Sequence, residues 1–176
     1  MNFGCRIKWL EGYTGQSTDE LIAFEGKYRI DSLILAFEQA LDQKAARIGI
    51  ENLTAEERVV LAIEAFEREV NNGGYSQFFF NSSNEYALII TDALHRIERP
   101  MIVKLTQEAI NALGLQSVTV AAINRAMENE SAELEAELEE CDERYYGMGD
   151  DLAMPLFEFI KNNKGKIVLI NQSQHR

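Results

Sequence analysis

Thr54-Ala55-Glu56-Glu57-Arg58-Val59-Val60-Leu61-Ala62-Ile63-Glu64-Ala65-Phe66-Glu67-Arg68-Glu69-Val70-Asn71-Asn72-Gly73-Gly74 reads as a helix with both of its ends written in. Thr54 and Glu57 have the spacing of a capping box: the hydroxyl accepts from the amide three residues on, and the carboxylate reaches back to the Thr54 amide. Val59, Ile63, Phe66 and Val70 follow at steps of four, three and four, which gathers them on one face. Asn71-Asn72-Gly73-Gly74 stops the helix, because glycine enters the left-handed cap conformation without a Cβ clash. The same residues are no phosphate loop. They follow a helix, so the nearby dipole end is negative and repels an anion.

Working outward gives more helices. Toward the N-terminus, Leu33, Phe37, Ala40 and Leu41 form the buried stripe of a helix over 31–47 that Gly49 closes, and Ser17-Thr18-Asp19-Glu20 starts another. Residues 1–16 have no helical period and read as an irregular lead. Toward the C-terminus, Tyr75-Ser76-Gln77-Phe78-Phe79-Phe80-Asn81 reads as a short aromatic turn, a packing corner. Ser82-Ser83-Asn84 caps a helix to Ile97 with Tyr86, Ile90, Ala93 and Ile97 as its seam. Pro100 opens a helix to Leu113 ended by Gly114, and Ser117 opens one to Met127. Ser131 caps an acidic helix to Tyr146, ended by Gly147. Asp150 or Asp151 opens the last helix, to Asn162, with Pro155 near its first turn and Gly165 as its end. Lys166 to Ile170 reads as a short strand or a docked tail, and 171–176 as a loose end. The fold class is therefore all-α: a single-domain helical bundle of about seven to nine helices, with short extended segments allowed for at the termini. Its organisation is a lead over 1–16, a helical domain over 17–165 and a tail over 166–176.

The 176 residues suit one domain, and 46% hydrophobic content is ordinary for a globular chain. The formal charge of −12 argues against direct nucleic-acid binding or an anionic membrane, since phosphates would be repelled. Cys5 and Cys141 make no disulfide framework, and the N-terminus has no apolar signal region. A reduced, cytoplasmic setting is expected.

The charge is concentrated. Residues 128 to 151 hold eleven acids against one base, Arg144, and so carry −10 of the −12. Leu134, Leu138, Cys141 and Tyr145 are spaced as one packing stripe, which leaves Glu130, Glu133, Glu135, Glu137, Glu139, Glu140, Asp142 and Glu143 for the outer faces. Read as one helix from Glu128 to Glu143, the segment rises about 24 Å and carries a carboxylate every 2.7 Å or so. That lies between duplex DNA, at about 1.7 Å per phosphate, and a single strand, at about 3.4 Å. Seven like-charged pairs three or four apart cost roughly 1.5–3.5 kcal/mol at low salt, and Glu140 with Arg144 is the favourable pair. Glu133, Glu137 and Glu140 form one ridge; Glu135, Glu139 and Asp142 form another, which Glu143 joins. The plain reading is a solvated face kept acidic for solubility. The functional reading is a row of carboxylates standing in for phosphates before a basic groove. A divalent-cation site is a third, without a calcium-loop motif to support it.

Other chemistry is thin. His95 follows Asp92 by three on a helix, a spacing found in di-iron bundles, but those need a second such motif, and His175 lies in the tail. No metal site and no cofactor is expected. Cys141 sits among acids that keep it a thiol. No nucleophile, base or acid pair points to an enzyme.

The run Glu69-Val70-Asn71-Asn72-Gly73-Gly74-Tyr75-Ser76-Gln77-Phe78-Phe79-Phe80-Asn81-Ser82-Ser83 resembles the signature of a bacterial domain-of-unknown-function family. One member of that family is described as a DNA mimic that binds a transcription factor. The resemblance spans about residues 50–165, including Tyr145-Tyr146 and the closing helix. It implies an all-helical fold and no known enzyme activity. Asn71, Asn72, Gly73, Gly74, Tyr75, Gln77, Phe78, Phe79 and Asn81 are implied to be structural, so they carry mimicry to no residue. The expected function is that of a non-enzymatic acidic interaction protein, in its fullest form a DNA mimic in the groove of a basic, DNA-binding partner such as a transcription factor. The alternative is a helical scaffold or immunity-type protein that binds through the aromatic turn or the N-terminal lead. The oligomeric state stays open.

Overall fold

The computed structural model describes residues 7–169. Cys5, the start of the lead, and the tail from Ile170 through His175 to Arg176 lie outside the described residues. The chain is all-α. In order it forms α1 (Thr18–Ile22), α2 (Ile30–Ile48), α3 (Ala55–Phe80), α4 (Ile90–Arg96), α5 (Pro100–Ala112), α6 (Val120–Glu128), α7 (Ala132–Met148) and α8 (Ala153–Asn162), with 3-10 turns at Ile50–Asn52 and Ser82–Leu88. The described residues contain no β-strand, only isolated bridges such as Lys8 to Tyr28. None of these helices is long and apolar enough to cross a membrane.

Most starts and stops follow the local chemistry. Ser17 and Glu20 close a full capping box on α1, Gly49 ends α2 at φ 88°, and Pro100 occupies the first turn of α5. Outside α3, four boundaries differ from the expectation. The stretch 82–97 is not one helix but a 3-10 turn followed by α4. α6 is capped by Thr119, whose hydroxyl accepts from the Ala122 amide, not by Ser117. α7 runs through Gly147 to Met148, and Gly149 caps it in the left-handed conformation. α8 begins at Ala153, beyond Asp150 and Asp151. Gly165 lies past its end.

The helices form two compact units. One holds the described residues up to Glu64 with those from Ala153 onward; the other is Ala65–Leu152. In the first unit, α2 packs against α1 and α8. Leu33, Phe37, Leu41, Ile63, Phe157 and Ile160 are fully buried or nearly so. Glu57 organises one end of it. Its side chain is completely buried, accepts from Lys44 Nζ at 2.6 Å and the Val168 amide at 2.9 Å, and closes the capping box on the Thr54 amide at 3.1 Å. A buried carboxylate needs partners of this quality to offset its desolvation. The segment after α8 is therefore docked rather than a strand: Ile167 and Leu169 are buried, the Ile167 carbonyl accepts from the Thr18 hydroxyl, and the Val168 carbonyl accepts from Lys44.

Glu57→Ala should lower stability by about 3 kcal/mol, since it strands Lys44, the Val168 amide and the Thr54 cap together. Urea unfolding measures this, and Glu56→Ala is the comparison that should cost less, because its partner Lys166 is exposed.

Candidate functional site

The second unit is built around a break in a helix. Gly73 and Gly74 leave helical geometry inside α3, with Gly74 at φ 74° and ψ −171°. The chain does not stop there as expected. It resumes as a helix from Tyr75 to Phe80, so the aromatic turn is helical. Tyr75, Phe78 and Phe79 are fully buried while Phe80 is 69% exposed. Their rings, with Phe66 and Tyr145, pack edge-on or tilted at centroid distances of 5.3–6.2 Å, the arrangement favoured by aromatic quadrupoles. The Tyr75 hydroxyl bonds Thr106 Oγ1 at 2.9 Å. Burial pushes the Tyr75 phenol well above its usual range.

Glu69 clamps the two limbs of the break. Its carboxylate accepts from Gln77 Nε2 and Asn81 Nδ2, each at 2.7 Å, and from Ser83 Oγ at 3.0 Å, and Asn72 Nδ2 donates to Gln77 Oε1 at 3.2 Å. Burial pushes the Glu69 carboxyl up, but the three hydrogen bonds and nearby Arg68 outweigh it and hold it below the usual range. Asn71 is exposed and Asn72 serves Gln77. Among the residues expected to be structural, Tyr75, Gln77, Phe78, Phe79 and Asn81 thus pack or bond around the break, and Glu69 is their common acceptor. Its partners lie eight, twelve and fourteen residues on. No helical period gives that set, because the break intervenes.

α7 begins with the Ser131 hydroxyl accepting from the Leu134 amide and packs against α5. Leu138, Cys141 and Tyr145 are buried and Leu134 is half-buried, so the apolar stripe stands as read. The Tyr146 hydroxyl donates to the Val70 carbonyl at 2.6 Å, tying the end of α7 to the first limb of α3.

Two corrections follow for the acids. Glu128 ends α6 and Glu130 lies in the connection, so the charged rod is shorter than the reading from Glu128 implied. It runs from Glu133 to Glu143 and rises about 15 Å. Asp142, placed with the outer ridge, is turned inward. Its Oδ1 accepts from the Tyr75 amide at 2.7 Å, and a Cβ on Gly74 would collide with its carboxylate. Asp142 thus caps the second limb of α3, the positive dipole end that the glycines expose. Burial raises its pKa above the usual range; the Tyr75 amide works against that rise and Glu139 adds to it.

The remaining carboxylates face water. Glu133, Glu135, Glu137, Glu139, Glu140 and Glu143 are all exposed, as is Glu130, which accepts from Ser76 Oγ at 3.3 Å. Six groups over about 15 Å is one per 2.5 Å or so, close to the density expected from the longer rod. Arg144 makes its direct ion pair with Glu108 at 2.6 Å, and Glu140, its expected partner, adds a weaker charge attraction without a direct contact. The amide of Glu133 itself and the Ser131 hydroxyl hold the Glu133 carboxyl below its usual range.

The minor candidates fall into place. Cys141 is buried, and burial more than its acidic neighbours pushes its thiol up, with Arg144 opposing. His95 is exposed, and Asp92 pairs with Arg96 at 3.6 Å. No group of three or more potential metal ligands occurs among the described residues.

A protein-family model described as DMP19-like protein matches residues 51–163, well over half of the chain, close to the span of the resemblance noted in the sequence. No curated protein and no solved structure matches the chain.

Two measurements test this construction. Glu69→Ala should cost about 2–3 kcal/mol of stability at neutral pH, since it removes hydrogen bonds to a charged acceptor and leaves Gln77 and Asn81 without their partner. Asp142 carries a pH signature. Its folded pKa is raised, so its contribution is fully present below the ordinary Asp value near 3.9 and is lost as pH rises through the folded value. The stability of the wild type relative to Asp142→Asn should therefore improve as pH falls from 7 toward 4 in paired urea melts. A fall in relative stability would contradict the inward carboxylate.

Proposed function

The chain belongs to the DMP19-like protein family, and on that premise we propose that it is a non-enzymatic acidic interaction protein whose α7 engages a basic protein surface, in its fullest form as a DNA mimic. One observation carries the reading: the exposed carboxylates of α7 stand at a spacing between those of duplex and single-stranded DNA, and the one base on that helix, Arg144, is turned to an ion pair with Glu108.

The energetics favour a partner. Within the rod, the like-charged pairs 133/137, 135/139, 139/143, 137/140 and 140/143 each cost a few tenths of a kcal/mol. The buried stripe, the Ser131 cap and the Asp142 contact hold the helix against that repulsion. A cationic groove relieves it and releases the counterions condensed on both surfaces. The backbone that carries these carboxylates is already ordered by its packing, so less backbone freedom is lost on binding. Complementary charge of this kind speeds encounter and selects partners more than it deepens affinity. The alternative, binding through the aromatic turn, is weakened by the burial of Tyr75, Phe78 and Phe79.

The test is capture of basic proteins from lysate on the immobilised chain, graded by salt. The wild type should release them steeply between about 50 and 200 mM salt. Replacing Glu133, Glu137 and Glu140 together with Gln should abolish capture while leaving the fold at least as stable, because three repulsive pairs disappear. Unchanged capture by that variant would overturn the reading, and salt-independent capture would favour the non-electrostatic alternative.

A further inference from the structure

Beside the start of α7 a shallow pocket of about 310 Å³ is lined by Ser76, Gln77, Phe80, Asn81, Met127 and Glu130. We infer that it receives an arginine side chain of the basic partner, with the guanidinium on the Phe80 ring and its N–H groups directed to Glu130. The inference rests on the reading of α7 as a surface for a basic protein and adds a specific anchor to it.

The lining selects for a cation. Phe80 stands alone among the aromatics of its run in being exposed, at 69%. The i, i+3, i+4 spacing that buries Tyr75, Phe78 and Phe79 turns Phe80 to the opposite side of the helix, into water. Met127 is buried and supplies an apolar floor. Gln77 and Asn81 each donate one amide N–H to Glu69, and the Ser76 hydroxyl donates to Glu130. The formal charge in the lining is that of Glu130, which repels an anionic ligand and attracts a cationic one. A guanidinium matches both halves of the site, since it stacks on aromatic faces and presents a fork of donors to a carboxylate.

The size and position agree. A volume near 310 Å³ lies at the bottom of the range for small-molecule sites, and the pocket is open, which suits the end of one long side chain better than a cofactor. Glu130 also begins the row of exposed acids that continues along α7. An arginine seated here therefore sits in register with neighbouring cationic groups on the ridge. Short-range stacking in a field of screened charges is also how an electrostatic surface gains selectivity.

The experiment uses the full chain and a fluorescein-labelled hexa-arginine peptide as probe, followed by anisotropy at one moderate salt concentration. Phe80→Leu keeps apolar area and removes the ring; it should weaken binding about two- to fivefold, the range for an exposed cation–π contact. Glu130→Gln should weaken it as well, and the double variant should lose less than the product of the single effects, because both groups grip one guanidinium. Thermal melts should be unchanged, Phe80 and Glu130 being exposed. If the wild type binds and the Glu133, Glu137 and Glu140 to Gln variant loses binding while Phe80→Leu has no effect, the pocket is overturned and the acidic surface stands. Independent effects at Phe80 and Glu130 also overturn it. If the wild type does not bind the peptide at all, the acidic-surface reading fails and the anchor fails with it.

Discussion

The hydrogen bond from the Tyr75 amide to Asp142 is the contact on which the arrangement of the second unit turns. Breaking α3 at Gly73 and Gly74 exposes a fresh helix start whose amides need an acceptor. Asp142 supplies one from α7, and the lack of a Cβ at Gly74 lets it come close. Together with the Tyr146 bond to the Val70 carbonyl and the ring contacts of Tyr145, this fixes α7 about its own axis. Once the helix cannot rotate, its carboxylates have only one way to face. The inward acid, the buried stripe and the two tyrosines together determine where the six outward acids point.

The carboxylates of the second unit thus fall into two groups. Glu69 accepts from three side-chain donors of this chain and Asp142 from the Tyr75 amide. The acids of the outer ridges are exposed to water, and among them Glu133 is held locally by its own amide and the Ser131 hydroxyl. Solubility alone would be served by any mixed charged surface. A row of one sign on a helix, at a cost in repulsion, is a more particular arrangement, and family membership over residues 51–163 is compatible with it without specifying it.

Much of this was legible in the sequence. The Thr54–Glu57 capping box, the α2 stripe ended by Gly49, and the Leu138, Cys141 and Tyr145 face of α7 follow from local rules that tertiary context did not override. The break in α3 was not legible as a break. A pair of glycines after a helix signals only that the helix cannot continue unaltered; whether a second one starts depends on an acceptor 67 residues later. Asp142 was misassigned for a related reason. At 100° per residue, Asp142 and Glu137 flank the apolar stripe on its two sides alike. Only the approach of the Gly74 backbone distinguishes them, and that is not encoded within α7. The extent of the rod was overread because acids continue through the connection between α6 and α7, where composition carries on but the helix does not. Glu69 lay inside the quoted signature, but its role as the common acceptor depends on the folded-back geometry of the break.

The central claim is that the outer carboxylates of α7 take the positions of phosphates for a basic protein. The most direct test is competition between this chain and duplex DNA for a captured DNA-binding protein, with the dissociation constant followed across salt concentrations. Mutual exclusion with DNA, and a steep linear dependence of log Kd on log salt, is the predicted result. A ternary complex with DNA still bound, or an affinity that salt leaves unchanged, would contradict it.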